Sequence, residues 1–281
     1  KLLKSPIKNL LEIYDIKPFL KVAGNQKIDL CQQGISFENK EMKILAGEPV
    51  SLDLSESDYS GLQISLDKNA VLNLDVFENQ YLSNLNIEIL DGASLKLNII
   101  KKASEQILNL QIKIASNARL ELNTLGVCDH MQVFDVQVLC EGKNSTLDIA
   151  HLSSCSAKAK ASDRFSLNFL NQNNKADMLL QTLAMDYSKV QSLGKINISE
   201  KARLTDSNMK QEVLLLDKSA TALAVPELVI CTNDVKAGHG VSIAKIDAEK
   251  LFYLMSRGLS RSQSFDLIVE SYRQVMLERM Q

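Results

Sequence analysis

The chain has 281 residues, 45% of them hydrophobic, and its 32 basic and 34 acidic residues leave a formal net charge of −2. That length supports one or two domains with a sizeable core. The charge balance excludes the clustered basic excess of a nucleic-acid or anionic-membrane surface, and no apolar run approaches the roughly 18–20 residues of a membrane span.

The N-terminus reads as helix. Ser5-Pro6 has the form of an N-cap followed by proline at the first helical position. Ile7, Leu10, Leu11 and Tyr14 then share one helical face, and Pro18 and Gly24 end the segment. Lys1, Lys4 and Lys8 interrupt the apolar run that a secretory signal requires. Lys1 rather than Met opens the chain, which predicts that it starts inside a longer native chain.

From about Ile28 to Ile230 the period changes to two. Alternation is strict at Leu62, Ile64, Leu66; at Leu85, Ile87, Ile89; and at Leu108, Leu110, Ile112, Ile114, which predicts strands with one buried face. A turn, a small residue and a short alternating strand recur at Ala70, Ala93, Ala118 and Ser145, in steps of 23, 25 and 27, with fainter echoes at Ala202 and Ala220. A period near 25 suits one coil of a β-solenoid, in which no coil buries its own apolar face but stacked coils do. A leucine-rich repeat lacks its frame here; a β-sandwich satisfies the alternation equally. Between Cys155 and Asp186 the pattern weakens, which predicts irregular loops or shorter, flatter strands, and it returns at Val190, Gly194, Ile196 and Ile198.

After the apolar run Leu228–Cys231 the chain is expected to break at Gly238-His239-Gly240 and to enter a helix near Asp247. Asp247 suits the N-cap, Leu251, Leu254 and Met255 fall together beside Phe252, Arg257 sits in the last turn and Gly258 at the C′ position. Ser260 to Gln263 form a capping box for a second short helix, with Phe265, Ile268, Val269, Tyr272 and Met276 on one face. These helices are expected at the far end of the solenoid, capping it or presenting a surface to a partner. Burial of both against the cylinder's middle would contradict that expectation.

Five cysteines, Cys31, Cys128, Cys140, Cys155 and Cys231, form neither a disulfide framework nor a zinc or ferredoxin ligand pattern. They read mostly as small core residues in a reducing, cytoplasmic protein. His130 and His151 read as surface or turn residues. His239, between two glycines, is either a turn histidine bonded to backbone or a ligand offering a neutral imidazole nitrogen. No P-loop, dinucleotide, G-x-S-x-G or H-E-x-x-H motif occurs.

The last quarter of the chain carries a resemblance. Pro226, Glu227, Leu228, Ile230, Asp234, Val235, Lys236, His239 and Gly240, then Leu251-Phe252-Tyr253-Leu254 and Ser256-Arg257-Gly258, with Leu214 to Lys218 upstream, resemble the C-terminal signature of the SufB/SufD family, nearest its D type. Members of that family are core subunits of the SUF iron–sulfur cluster assembly machinery. The resemblance implies a mainly β fold, a right-handed parallel β-helix over residues 25–243. A helical N-terminal piece (1–24) precedes it and a C-terminal helical domain (244–281) follows. It implies a non-enzymatic scaffold that pairs with a SufB-like subunit or with itself through strands around Leu214 to Ile230. A SufC-like ATPase docks on the terminal helices, through Asp247, Leu251, Phe252, Tyr253, Leu254, Arg257, Gly258 and Phe265. No cofactor is held tightly by the chain alone; His239 is the candidate iron or cluster ligand at a subunit interface, where a transient iron–sulfur cluster would form. Ala237 stands where D-type members often carry a cysteine, and Gln211-Glu212 where B-type members carry one, so only His239 carries over. The alternatives are a carbohydrate-active solenoid enzyme and a purely structural solenoid.

Overall fold

A computed structural model describes residues 35–38, 41–46, 50–53, 61–78 and 82–281; the helix expected over 1–24 and residues 25–34 lie outside them. The alternating sequence forms β1 (Ile35–Glu38), β2 (Glu41–Ile44), β3 (Val50–Asp53), β4 (Leu62–Leu66), β5 (Val71–Glu78), β6 (Leu82–Ile89), β7 (Ser94–Lys102), β8 (Glu105–Ile114) and β9 (Arg119–Cys128). It continues through β10 (Met131–Cys140), β11 (Thr146–Cys155), β12 (Lys160–Phe169), β13 (Lys175–Ala184), β14 (Lys189–Ile198), β15 (Asp206–Leu215), β16 (Thr221–Ile230) and β17 (Lys236–Lys245). β1 and the even strands make a nine-stranded sheet, and the odd strands from β3 make an eight-stranded one. β1 pairs antiparallel with β2, and each later strand pairs in parallel with the strand two further on. The chain therefore winds as a parallel β-solenoid with two strands per coil, as the repeat predicts.

In-register stacking sets like residues above like. Leu74, Leu97, Leu122, Ile149, Met178 and Met209 succeed one another in one inward column of the odd strands, and all are buried. Each such side chain contributes about 1.5–3 kcal/mol relative to exposure. The corner before each odd strand uses a left-handed residue followed by a buried small or polar one: Asn69-Ala70, Gly92-Ala93, Asn117-Ala118, Asn144-Ser145 and Asn173-Asn174. Asparagine tolerates that conformation, and its side chains also bond from coil to coil. Asn144 Nδ2 donates to Asn117 Oδ1 at 3.1 Å, and Asn173 Nδ2 to Asn144 Oδ1 at 2.8 Å.

The repeat fades in the sequence because the coils lengthen. Leu62 sits beside Leu85, 23 residues on, whereas Lys189 sits beside Thr221, 32 on. The echo at Ala202 precedes the true corner residue, Thr205, by three positions. Ala220 belongs to the opposite corner, with Ala159 and Ser188. The irregular stretch expected between Cys155 and Asp186 is in fact two regular ten-residue strands, β12 and β13. Their inward positions include Ala161, Asp163, Thr182 and Ala184, so small and polar residues erase the apolar alternation without ending the strand.

Two helices follow, α1 (Ala248–Ser256) and α2 (Arg261–Met280). Asp247 caps α1 by accepting from the Glu249 amide at 2.9 Å, and Gly258, at φ +95°, closes it. The Ser260–Gln263 capping box is reciprocal. α2 is neither short nor at the solenoid's end. It lies across the outer face of the eight-stranded sheet, where Val269 and Met276 cluster with Leu125, Ala150, Leu152, Leu183 and Leu214. Arg273 donates to Ser154 Oγ at 2.9 Å, Asn98 Nδ2 donates to the Met280 carbonyl at 2.9 Å, and Arg279 pairs with Asp148. The placement expected for this helix fails because these strands carry apolar residues on both faces, and the outer stripe requires cover.

Leu204 occupies the left-handed corner position, at φ +57°, where earlier coils place asparagine or glycine. A non-glycine side chain there costs roughly 1–2 kcal/mol, which asparagine largely avoids. Leu204→Asn is expected to raise the thermal midpoint by about 2–4 °C, checked by calorimetry; an unchanged or lower midpoint would show that the ladder contributes nothing at this corner.

Candidate functional site

Each coil is covered by the next, and the last one has no successor. β16 and β17 are the edges of the two sheets at the same end of the solenoid. Inward positions of β17 continue the interior columns: His239 stands beside Met209, Val241 beside Gln211 and Ile243 beside Val213. Val241 and Ile243 are nevertheless 50% and 49% exposed. On β16, Leu223, Val225 and Val229 are exposed on the outward face, beside a Lys195–Glu227 ion pair of 2.8 Å.

His239 is not in a turn. It is mid-strand and exposed, and it is the next member of the column that runs from Leu74 to Met209. The glycines that suggested a turn point outward; a Cβ at Gly240 would meet nothing, and one at Gly238 only Asn208 Oδ1 at 3.4 Å. The actual turn precedes β17, where Arg203 pairs with Asp234 at 3.2 Å and the Leu204 amide donates to the Asp234 carbonyl at 2.6 Å. The floor beneath His239 is the buried Met209 side chain. A Cβ on Gly194 would lie 2.3 Å from the Met209 sulfur, so glycine at 194 makes that packing possible. No group of three or more His, Cys, Asp or Glu positioned to hold a metal occurs among the described residues. His239 thus offers one imidazole at an open mouth.

The residues expected to meet a partner separate into two groups. Leu251 is buried and anchors α1, while Phe252 is 73% exposed, with Tyr253 and Met255 also exposed. The Arg257 guanidinium lies 5.2 Å from the Tyr253 ring centroid and steadies that surface. Leu254 is half-buried, Asp247 is the N-cap and Gly258 follows the C-cap Arg257 at the left-handed C′ position, and Phe265 packs into the seam between α2 and the solenoid. Exposed Val241, Ile243 and Leu223 were not singled out by the sequence. Placing them needs the register that brings β16 and β17 to the edge.

His130 is exposed beside Glu105, at 2.8 Å, as a surface histidine should be. His151 is not. It points inward from β11 at 1% exposure, between Phe134 and Phe165, with ring centroids at 5.3 and 4.8 Å. Its Nδ1 lies 2.8 Å from Thr124 Oγ1, and its Nε2 faces Asp163 Oδ2 at 3.3 Å, out of line for a hydrogen bond. Cys128, Cys140 and Cys155 are buried free thiols, as expected of core residues, and Cys231 is exposed. On the opposite outer face a groove of about 350 Å³ is lined by Asn84, Asn86, Asn109, Gln111, Asp135 and Gln137.

The family model described as SUF system FeS cluster assembly, SufBD core domain, matches residues 58–272. The chain is 30% identical over 139 residues to the iron–sulfur cluster assembly protein SufD of Escherichia coli (strain K12), which is 50% of this chain and 33% of that protein. It is 27% identical over 103 residues to SufB of Bacillus subtilis (strain 168), 37% of this chain and 22% of that one. A SufBD family protein of Pyrococcus horikoshii is 38% identical over 98 residues, 35% of this chain and 22% of its own length. The matched stretches thus span a third or less of these relatives, although the family model covers most of this chain. On that match, and on a parallel solenoid ending in an open coil and a helix pair, the chain belongs to the SufBD core family of the SUF iron–sulfur cluster assembly system.

Proposed function

We propose that this chain is a SufD-like, non-catalytic scaffold subunit of a SUF complex. It pairs through its open last coil with a SufB-like subunit or a second copy of itself, and it carries a SufC-like ATPase on α1. The observation that carries this reading is the open coil. Two parallel edges end together with the interior positions Val241 and Ile243 uncovered. Long apolar edges left bare invite strand pairing, and a partner presenting its own last coil would satisfy both the backbone and the uncovered side chains.

His239 would then lie inside that interface. The iron–sulfur cluster is cargo in this reading, and it needs several ligands. His239 would supply one imidazole nitrogen and the partner the others. α1 offers exposed Phe252 and Tyr253 on a helix anchored by Leu251, the rigid aromatic presentation that makes interface hot spots. ATP-driven closure of the ATPase would pull on α1, and α2 would pass the load to the odd strands it crosses. The free thiols suit a reducing cytosol. Among the described residues no helix is long and apolar enough to cross a membrane. A carbohydrate-active reading needs two carboxylates in one cleft; the amide-lined groove holds only Asp135, which Arg164 engages at 3.3 Å.

Mixed with a SufC-like ATPase and a SufB-like subunit from its own source, the chain is expected to elute as a complex in size exclusion with light scattering. Phe252→Ala is expected to weaken ATPase binding by roughly 2 kcal/mol, about 30-fold, with an unchanged melting midpoint. Failure to bind either partner, or a variant that binds the ATPase as tightly as the parent, would sink the proposal.

His239→Leu continues the apolar column, so the variant is expected to fold and pair normally. Iron retained by the purified pair should fall to near background. Undiminished iron, measured by metal analysis on the intact complex, would remove His239 from the site.

A further inference from the structure

Deep inside the solenoid, away from the open coil, lies a polar seam with no part in the assembly reading. Gln106, Gln132 and Ser153 occupy inward positions of β8, β10 and β11, and Cys128 and Cys155 those of β9 and β11; all five are buried. Their hydrogen bonds run one way. The Ala103 amide donates to Gln106 Oε1 at 3.2 Å, and Gln106 Nε2 donates to Gln132 Oε1 at 2.6 Å. Gln132 Nε2 spends its two protons on Ser153 Oγ at 2.7 Å and Asp163 Oδ1 at 2.8 Å. The Ser153 hydroxyl, already accepting from Gln132, has its own proton left for the Cys155 sulfur at 3.3 Å. The Cys128 sulfur lies 3.6 Å from that of Cys155, and the two residues are direct register partners. Glycine at 126 keeps the relay intact, since a Cβ there would lie 2.3 Å from Gln132 Oε1.

We propose that Cys155 and Cys128 form a peroxide-oxidisable dithiol whose disulfide locks two successive coils together. Cys155 can accept from both the Ser153 hydroxyl and the Cys128 thiol, the surroundings that suit a sulfur that has given up its proton, and it reacts first. It attacks one oxygen of hydrogen peroxide and the O–O bond breaks. Cys155 becomes a sulfenic acid, and the other oxygen takes up the thiol proton and leaves as water. The Cys128 sulfur then attacks the Cys155 sulfur, the S–O bond breaks, and hydroxide leaves with the Cys128 proton as water. The net change is two electrons and two protons from the thiols, with one O–O bond reduced.

Register partners on neighbouring parallel strands lie about 4.8 Å apart, within the roughly 4.4–6.8 Å that a disulfide spans between Cα atoms. The Cβ atoms of such partners share that spacing, slightly more than the roughly 3.5–4.5 Å of a disulfide. Closing the bond from a sulfur separation of 3.6 Å therefore draws the two strands slightly together, and the loop it closes is one whole coil. The sulfurs share a buried cluster with Ala159, Ala161, Ala184, Ala220 and Val190. Both sulfurs are buried, so the oxidant must be about the size of water. The hydrogen bond to Cys155, together with burial, raises the Cys128 thiol far above its ordinary range, so oxidation is slow near neutrality and faster in alkali.

The test uses the full chain carrying Cys31→Ser and Cys231→Ser, which leaves Cys128, Cys140 and Cys155. Cys140 is buried with Ile114 and Phe169 as its register partners and so has no thiol on either neighbouring strand position, which makes it an internal control. After hydrogen peroxide at mildly alkaline pH, thiols counted in denaturant are expected to fall from three to one. Non-reducing peptide mapping should yield the Cys128–Cys155 linked pair, and the melting midpoint should rise until dithiothreitol restores it. Adding Cys128→Ala should leave Cys155 as a sulfenic acid that dimedone traps, and adding Ser153→Ala should slow thiol loss at least threefold. Three surviving thiols would overturn the proposal, as would Cys155 driven to the sulfinic acid with Cys128 still free.

Discussion

In-register parallel pairing between successive coils is the constraint on which the rest of the molecule depends. It obliges every inward side chain to have a neighbour of compatible size above and below. The column from Leu74 to Met209 is the direct result, and so is the asparagine ladder at the corner. The same rule has no internal stopping point. A coil is stable because another covers it, so the last coil is left with the interior's chemistry on its surface. His239, Val241 and Ile243 are exposed for that reason and not because the chain turns there.

This also explains what could be read from the sequence. The strands around Leu62, Leu85 and Leu108 were legible because most inward positions carry leucine or isoleucine, and the outward ones are mostly polar. The coil period was legible from Ala70 to Ser145 because the corner keeps one turn chemistry over that span. Beyond it the corner passes to Asn174 and Thr205 and the spacing grows. β12 was hidden by Asp163 at an inward position, which reads as a solvent residue until its partners Gln132 and His151 are in view. The misplacement of His151 and that of the second helix have one common cause. Ala150 and Leu152 flank His151 on the outward face, and α2 covers them. A strand apolar on both faces has no period to read, and the histidine in it cannot be assigned to a side.

α2 also changes how the solenoid responds to load. A stack of coils touching only its neighbours behaves as a one-dimensional chain that can open coil by coil. α2 breaks that locality. Its C-terminal carbonyls are held by Lys96 and Asn98 on β7, and Arg279 and Arg273 reach Asp148 and Ser154 on β11. Val269 and Met276 cluster with Leu183 and Leu214 on β13 and β15. One rigid helix is thereby fastened from β7 to β15, so a twist applied at α1 is shared along that flank.

The polar seam inside is harder to reconcile with a solenoid that needs only an oily interior. Burying amides and a carboxylate contributes nothing to stability unless the bonds are made, and an inward glycine, Gly126, is required simply to make room for Gln132. The polar contacts of the seam run mostly between coils: hydrogen bonds from Gln106 to Gln132, from Gln132 to Asp163 and between His151 and Thr124, with Asp163 Oδ2 facing His151 Nε2 at 3.3 Å. A column of leucines is indifferent to which coil lies above it, because every coil offers much the same surface. The seam is not, because shifting the stack by one coil would leave Gln132 and Asp163 facing aliphatic groups with their polar atoms unpaired. The aliphatic columns therefore account for the strength of the stack, and the seam accounts for its order, the division expected when nearly identical units must be stacked in a single sequence.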